Sequence, residues 1–321
     1  MRFPLADWVE GHEYCRFNLG ASGMRGAVRH PLPTRAQVRA ASEGDLRRKL
    51  AALLEVDPSR VFLTHGATEA NAWALTYLAR RRSARVARCR VEFPEYPPLF
   101  DLPRTLGYRL VTSRGPTDLA IVSQPRNPVG DLWPADRLAD WSRDARATVV
   151  DETFREFTPA RSVQRLGLRG LWSTGSFTKA YGADDLRVGF VVPPEAEQDG
   201  FAGFHGLAAD EMPNYSVAGA LAVLAQRDRL LRTVRSLVRR NQELWRRATP
   251  GGPTLAAPVA FDDPVFPDGD RFARRCLRSS VLVSPGALFG RASGVRVTLT
   301  RRSFPRDLRE YVRVRAAAVA A

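Results

Sequence analysis

Only two lysines, Lys49 and Lys179, occur among the 49 basic residues of this 321-residue chain. A guanidinium stays charged, whereas a desolvated primary amine sheds its proton and adds to a carbonyl. A lysine kept where arginine is otherwise the rule therefore points first to Schiff-base chemistry. Lys49 lies in the helical run Leu46-Arg47-Arg48-Lys49-Leu50 and fits a solvated surface position. Lys179 has other neighbours: it stands in Ser176-Phe177-Thr178-Lys179-Ala180-Tyr181-Gly182, with Arg187 just beyond. There Ser176, Thr178 and Arg187 offer donors for a phosphate group.

Four further segments carry residues of matching chemistry. Thr64-His65-Gly66-Ala67-Thr68-Glu69 reads as a strand-to-helix turn, where small residues let backbone N–H groups approach an anion and Thr68 adds a hydroxyl. Taken alone this is also an ordinary helix start. Val149-Val150-Asp151 is an apolar run ending in a carboxylate that could hold a cationic ring nitrogen. Gln124-Pro125-Arg126-Asn127-Pro128 is a turn presenting an amide. Arg296, in Val295-Arg296-Val297 after Ser284-Pro285-Gly286, is an arginine on a strand, suited to clamping a carboxylate through two hydrogen bonds.

The elements that must position these residues are legible as an alternation. Strands are predicted at Val61–Thr64, Arg88–Phe93, Tyr108–Ser113, Leu119–Ser123, Ala147–Asp151, Leu171–Ser176 and Val188–Val192, with amphipathic segments such as Glu69–Arg80 and Ala135–Asp144 between them. Such alternation predicts a mainly parallel sheet covered on both faces, with ligands beyond the carboxyl ends of the strands. The chemistry-bearing motifs fall at or beside those ends. A long helix is predicted from Ser216 to Arg247, followed by strands at Val281–Ser284 and Val295–Thr300. The first 35 residues are expected to pack with the C-terminal region and edge the site.

Composition narrows the class. Hydrophobic content of 44% and charged content of 26% are ordinary for a globular protein, and no run approaches the ~20 apolar residues of a membrane helix. The N-terminus lacks the apolar core of a signal peptide. Cys15, Cys89 and Cys276 are scattered and odd in number, and His12, His65 and His205 have no metal-ligand spacing, so reduced thiols in a cytoplasmic protein without a metal are expected. The net charge of +15 comes from arginines spread along the chain, as in Arg80-Arg81-Arg82 and Arg301-Arg302, which argues for a solvated basic surface over a nucleic-acid module.

Taken together and in this order, the segments resemble the fold-type-I pyridoxal-phosphate-dependent enzymes of the class I and II aminotransferase family, from about Phe3 to Arg296. The resemblance implies an α/β fold: a mainly parallel seven-stranded sheet with helices on both faces, plus a smaller α/β domain. The large, cofactor-binding domain is expected over residues 36–225, and the small one over 1–35 and 226–321. It implies pyridoxal 5′-phosphate as the cofactor. Lys179 would form the Schiff base and then carry the proton between the substrate Cα and the cofactor, while Asp151 would pair with the pyridinium nitrogen. Asn127 would bond the ring's 3′-oxygen and Tyr96, in Pro94-Glu95-Tyr96, would stack on the ring. Ala67, Thr68, Ser176, Thr178 and Arg187 would form the phosphate cup. Arg296 would take the substrate α-carboxylate, with Asn127 and Gly20 beside it.

Two positions depart from the family pattern. Phe154 stands where a tyrosine often bonds the 3′-oxygen, which raises the expected Schiff-base pKa and leaves Asn127 as the main partner. His30 stands where a tyrosine often reaches the phosphate of the neighbouring subunit; it either makes that contact or is an exposed loop histidine. The family also implies a homodimer with shared active sites, to which His30 and the loop Pro213-Asn214-Tyr215-Ser216 would be lent, and no nucleic-acid or membrane partner. The stretch from Pro4-Leu5-Ala6-Asp7-Trp8 to Ser22-Gly23 resembles a capreomycidine-synthase-like subgroup, some of whose members do not transaminate. The leading expectation is amino-group transfer between an α-amino acid and a 2-oxo acid. The alternatives are a lyase, cyclase, decarboxylase or oxidase acting on an amino acid, or a non-catalytic scaffold. Glu95, Glu152 and Asp184 could suit a basic substrate, but solvated carboxylates are the favoured reading.

Overall fold

The computed structural model describes residues 3–24, 26–82, 87–176, 178–263 and 267–319. Twelve strands run in chain order: β1 Phe17–Asn18, β2 Phe62–Thr64, β3 Arg88–Val91, β4 Arg109–Val111, β5 Thr117–Ser123, β6 Ala145–Asp151, β7 Leu171–Gly175, β8 Gly189–Val192, β9 Val259–Asp262, β10 Val281–Leu282, β11 Ser284–Pro285 and β12 Val295–Thr298. Seven of them form one sheet in the order β2-β8-β7-β6-β5-β3-β4. The pairs β3–β4, β3–β5, β5–β6 and β6–β7 are parallel, and β8 alone runs against its neighbours β7 and β2. This is the mainly parallel seven-stranded sheet that the alternation predicts.

The strands are apolar on both faces because both faces are covered. Ile121, Val149, Trp172 and Val191 pack toward Ala70, Ala74, Leu75, Leu99 and Phe201 on one side. Other strand residues point the other way: Leu63, Phe190 and Val192 meet Leu46, Leu50, Val217 and Val223, while Val122 and Val150 meet Trp133 and Leu138. The helix Ala67–Arg80 presents mainly small residues to the sheet, so its axis lies close and its first turn opens at the carboxyl edge of β2.

The C-terminal region is a smaller α/β layer. The antiparallel sheet β11-β12-β9 and the helices Gly269–Arg278 and Phe304–Val319 close over Phe272, Cys276, Val295, Val297, Phe304 and Tyr311. The N-terminal segment joins it as expected: β1 pairs in parallel with β10, Leu19 enters the same core, and Trp8 Nε1 donates to Val283 O at 2.8 Å.

The predicted continuous helix from Ser216 to Arg247 is instead two helices, Asn214–Ala225 and Arg227–Ala248, divided at Gln226 with φ −114° and ψ 14°. The first buries Val217, Ala218, Ala220 and Val223; the second turns so that Arg227 reaches the buried carboxylate of Glu156, Nε to Oε2 at 3.0 Å. Hydrophobic periodicity is blind to such a break, because each half satisfies it separately. Strand β9 also escaped the sequence reading, being four residues long between loops. Not every arginine is a solvated surface residue: Arg90, Arg126, Arg155 and Arg296 are buried.

Candidate active site

Where β2, β5, β6 and β7 end, and where the reversed β8 begins, the sheet edge opens into a cavity of about 550 Å³ roofed by the C-terminal layer and the helix Pro4–Gly11. Its wall includes Gly20, Gly66, Ala67, Thr68, Tyr96, Ser123, Asn127, Asp151, Phe154, Ser176, Lys179, Arg187 and Arg296. Residues nearly three hundred positions apart in the chain thus meet in one volume.

Asp151 is the last residue of β6 and is 3% exposed. Asn71 Nδ2 donates to its Oδ2 at 2.8 Å and the Thr153 N–H to its Oδ1 at 2.8 Å. Desolvation still holds its pKa above the ordinary aspartate range, against the pull of those bonds. A buried carboxylate in this state favours a cation in front of it. Asn71 was not foreseen from sequence: it is a fully buried polar residue on an otherwise small, apolar helix face, and it is fixed in turn by the Thr174 hydroxyl at 2.5 Å.

Lys179 lies on the short helix Thr178–Tyr181, half-buried, with Nζ 3.3 Å from Asp184 Oδ1. Gly23 lets the N-terminal segment pass over this pair, since a Cβ there would sit 2.8 Å from Asp184 Oδ2. Tyr181 anchors the same helix by donating to buried Glu156.

Arg296 is 2% exposed, stacked 4.9 Å above the Phe289 ring, and no carboxylate pairs with it among the described residues. Its Nη2 donates to Gly20 O at 2.8 Å, its contacts to Asn127 Oδ1 and Ser284 Oγ are long at 3.4 Å, and its Nε has no partner among the described residues. Desolvation brings its pKa down to about 10. An underused buried guanidinium facing a cavity is arranged to receive an anion.

At the other end, Arg187 adopts a left-handed backbone with φ +50° and donates Nη2 to His65 O at 3.3 Å. Gly66, with φ +90°, leaves room for that guanidinium; a Cβ would meet Nη2 at 2.8 Å. No side chain caps the helix that starts at Ala67, so its first N–H groups are left for a ligand. Tyr96 hydrogen-bonds Thr68, and desolvation, with the charge of Asp151, pushes its phenol up to about 12.

Most sequence-predicted site residues therefore share one wall, with qualifications. Ser176 lines it, but its hydroxyl donates to Val188 O at 2.9 Å. The side chain of Thr178 lies outside what the structure describes. Phe154 lines the wall and packs edge-on against Phe157 at 5.7 Å, a donor-free surface where a tyrosine could have stood. His30 and Tyr215 are off this wall: His30 Nε2 lies 3.1 Å from Asp185 Oδ1, and Tyr215 is 46% exposed. The expectation that Glu95 and Glu152 are solvated is wrong, for they are 0% and 4% exposed. Glu95 accepts from Ser123 and the Tyr96 N–H, and Glu152 from Ser162 and the Val163 N–H, donors that only the fold brings together. Sequence reading also missed the apolar part of the wall, Leu5, Ala6 and Val9, although Pro4 at a helix start was a usable signal.

Comparison with known proteins agrees with this geometry. Residues 108–302 match the family described as aminotransferase class I and II, and the chain belongs to that family. A histidinol-phosphate aminotransferase of Halorubrum lacusprofundi is 26% identical over 208 residues, 62% of this chain and 55% of the relative. The chain thus spans about half the length of that curated relative. Among solved structures, an aminotransferase of Mycobacterium tuberculosis superposes with a TM-score of 0.80 at 20% identity, over 100% of this chain and 97% of the other. The pyridoxal-phosphate-dependent cyclase OrfR superposes at 0.78 with 20% identity, over 100% and 97%.

Family membership implies pyridoxal 5′-phosphate, and the residues present fit it. The uncapped helix start and Arg187 suit a phosphate, buried Asp151 suits a protonated ring nitrogen, and Lys179 offers the amine. Arg296 remains for a carboxylate.

Proposed function

We propose that this chain is an aminotransferase that moves an amino group between an α-amino acid and a 2-oxo acid. The observation that carries the reading is the convergence of one lysine, one buried carboxylate and two separated arginines on a single cavity. When bound, the cofactor supplies an aldehyde that takes the amino group and a ring that withdraws electrons from the substrate Cα.

The chain's own residues do the rest. Ala67, Thr68 and Arg187, with Ser176 and Thr178, hold the phosphate at the helix start. Asp151 would keep the ring nitrogen protonated, its burial and the Asn71 bond making that interaction strong and directed. Asn127 would be the main partner of the ring's 3′-oxygen, since Phe154 donates nothing, and Tyr96 would stack on the ring. Arg296 binds the substrate α-carboxylate in a site where water is scarce, with Gly20 and Asn127 beside it. Lys179 Nζ takes the proton from the substrate Cα, and Asp184, 3.3 Å away, steadies the amine.

The reading extends to assembly and setting. The large domain would comprise residues 36–225 and the small one 1–35 and 226–321. Two copies would form a homodimer in which Tyr215, exposed at the head of the helix Asn214–Ala225, and His30 lie near the neighbouring cofactor site. The three cysteines are buried and unpaired, which suits a cytoplasmic protein.

The decisive assay incubates the protein with single amino acids and a 2-oxo acid. We expect a new amino acid in equal amount to the 2-oxo acid formed; ammonia release or oxygen uptake in its place would assign a lyase or an oxidase. Asp151→Asn keeps the shape but not the charge, and turnover is expected to fall by on the order of 10²-fold, about 3 kcal/mol of transition-state stabilisation; a wild-type rate would show that the carboxylate does not touch the ring. Cofactor retention should decline as the protein is diluted toward monomer, and a stable monomer in sedimentation that keeps all its cofactor would refute the shared site.

A further inference from the structure

Three of the residues on the cavity wall are tied together from beneath by a group that is not on the wall. Glu95 is 0% exposed. Its Oε1 accepts from the Tyr96 N–H at 2.6 Å and from the Ser123 hydroxyl at 2.6 Å, and its Oε2 accepts from the Ser123 N–H at 3.0 Å. The Ser123 oxygen accepts in turn from the Asn127 N–H at 2.8 Å. The backbone of Glu95 donates to Phe289 O at 3.1 Å, and Phe289 is the ring under Arg296. One buried residue thus joins the loop after β3 and the end of β5 through its side chain, and the C-terminal layer through its backbone.

We propose that Glu95 is a positioning residue for the cofactor: acting purely as an acceptor, its carboxylate locks Tyr96, Ser123 and Asn127 into one unit, so that ring-facing side chains from two loops are presented together. The proposal rests on the reading that the cavity holds pyridoxal 5′-phosphate.

The chemistry of the three donors requires a carboxylate. An ionised carboxylate has acceptor sites only, and here three donors occupy both oxygens. A glutamine would turn an NH₂ group toward either Ser123 N–H or the pair at Oε1, facing donor with donor in either orientation. A protonated Glu95 meets a milder conflict, since it carries one donor hydrogen of its own. Its O–H can be accepted only by the Ser123 oxygen, whose own hydrogen must then swing away toward the cavity that Ser123 lines.

This conflict falls in an accessible pH range. Burial pushes the Glu95 pKa up to about 7, against the opposing charge of Arg126 and the bonds from Ser123 and Tyr96. Arg126 does not pair with Glu95 directly, being engaged by Glu92 at 3.3 Å and Asp131 at 3.9 Å. The other charged groups nearby lie beyond the clamp: Asp151, opposite Ser123 in the β5–β6 register, and Arg296 and Arg187, which face Tyr96. Because the folded-state pKa is raised, the proton is retained below about 7 and the acceptor-only state exists above it. The locked unit is therefore a property of the higher pH.

The test titrates the wild-type protein and Glu95→Gln with pyridoxal 5′-phosphate by fluorescence at pH 6, 7 and 8. The cofactor's own ionisation is common to both and cancels in the comparison. At pH 8 the variant is expected to bind about tenfold more weakly than the wild type, the equivalent of one lost hydrogen bond, and the two should converge toward pH 6. Parallel pH profiles, or equal affinity at pH 8, overturn the proposal alone. A wild type that takes up no pyridoxal 5′-phosphate at any pH overturns the reading of the cavity and this proposal with it. If Glu95→Gln does not fold, amide hydrogen exchange of the wild type decides. After correction for intrinsic rates, protection at Tyr96, Ser123 and Asn127 should fall together below pH 7, and unchanged protection contradicts the clamp.

Discussion

The Asp151 carboxylate sits at the end of a central strand, out of reach of bulk water, with two hydrogen bonds and no cation among the described residues. Burying a charge in this way is unfavourable unless something positive arrives to offset it. Much of the surrounding structure answers to that constraint. The helix Ala67–Arg80 lies close enough to the sheet to deliver Asn71, and Thr174 on the neighbouring strand fixes the amide's orientation. The carboxylate is thereby held in one orientation on the cavity wall. A protonated ring nitrogen there would bring Asp151 back toward its ordinary ionisation, so cofactor binding and the ionised carboxylate favour each other.

The same arrangement fixes three cationic side chains at separate points of the cavity. Arg187 is held at the helix start by the space that Gly66 leaves, Lys179 is held by Asp184, and Arg296 is held by the Gly20 carbonyl and the Phe289 ring. Arg187 owes its place to the reversal of β8, which brings the beginning of that strand to the edge where the others end. The cavity consequently has Arg187, the Lys179 amine and Arg296 on its wall, each brought by a different stretch of chain. Glu95 acts on another axis, fastening the loops that carry the uncharged contacts.

What could be read from sequence was local. Lys179, Asp151, Asn127 and the Gly66–Thr68 turn sit beside strand ends, and strand ends announce themselves through short apolar runs. The sheet and the family follow from the order of those runs. What could not be read depends on which donors the fold brings near. Glu95 looks like any charged loop residue until Ser123, 28 positions on, turns out to bond it. Asn71 shares its helix face with alanines, and only its burial against Asp151 distinguishes it. The break at Gln226 obeys Arg227 and Glu156, a contact 71 positions long in sequence. Periodicity reports which face is apolar; it does not report where a side chain from elsewhere will bend the chain.

The central claim is that Lys179 is the amine at the heart of this cavity. Reduction of the cofactor-loaded protein with borohydride, followed by peptide mass spectrometry, tests it directly, since the chain holds only one other lysine, Lys49. The account predicts a single pyridoxyl group on the peptide containing Lys179, lost in Lys179→Ala while pyridoxal 5′-phosphate still binds through its phosphate. A pyridoxyl group on Lys49, or none on either lysine, would contradict it.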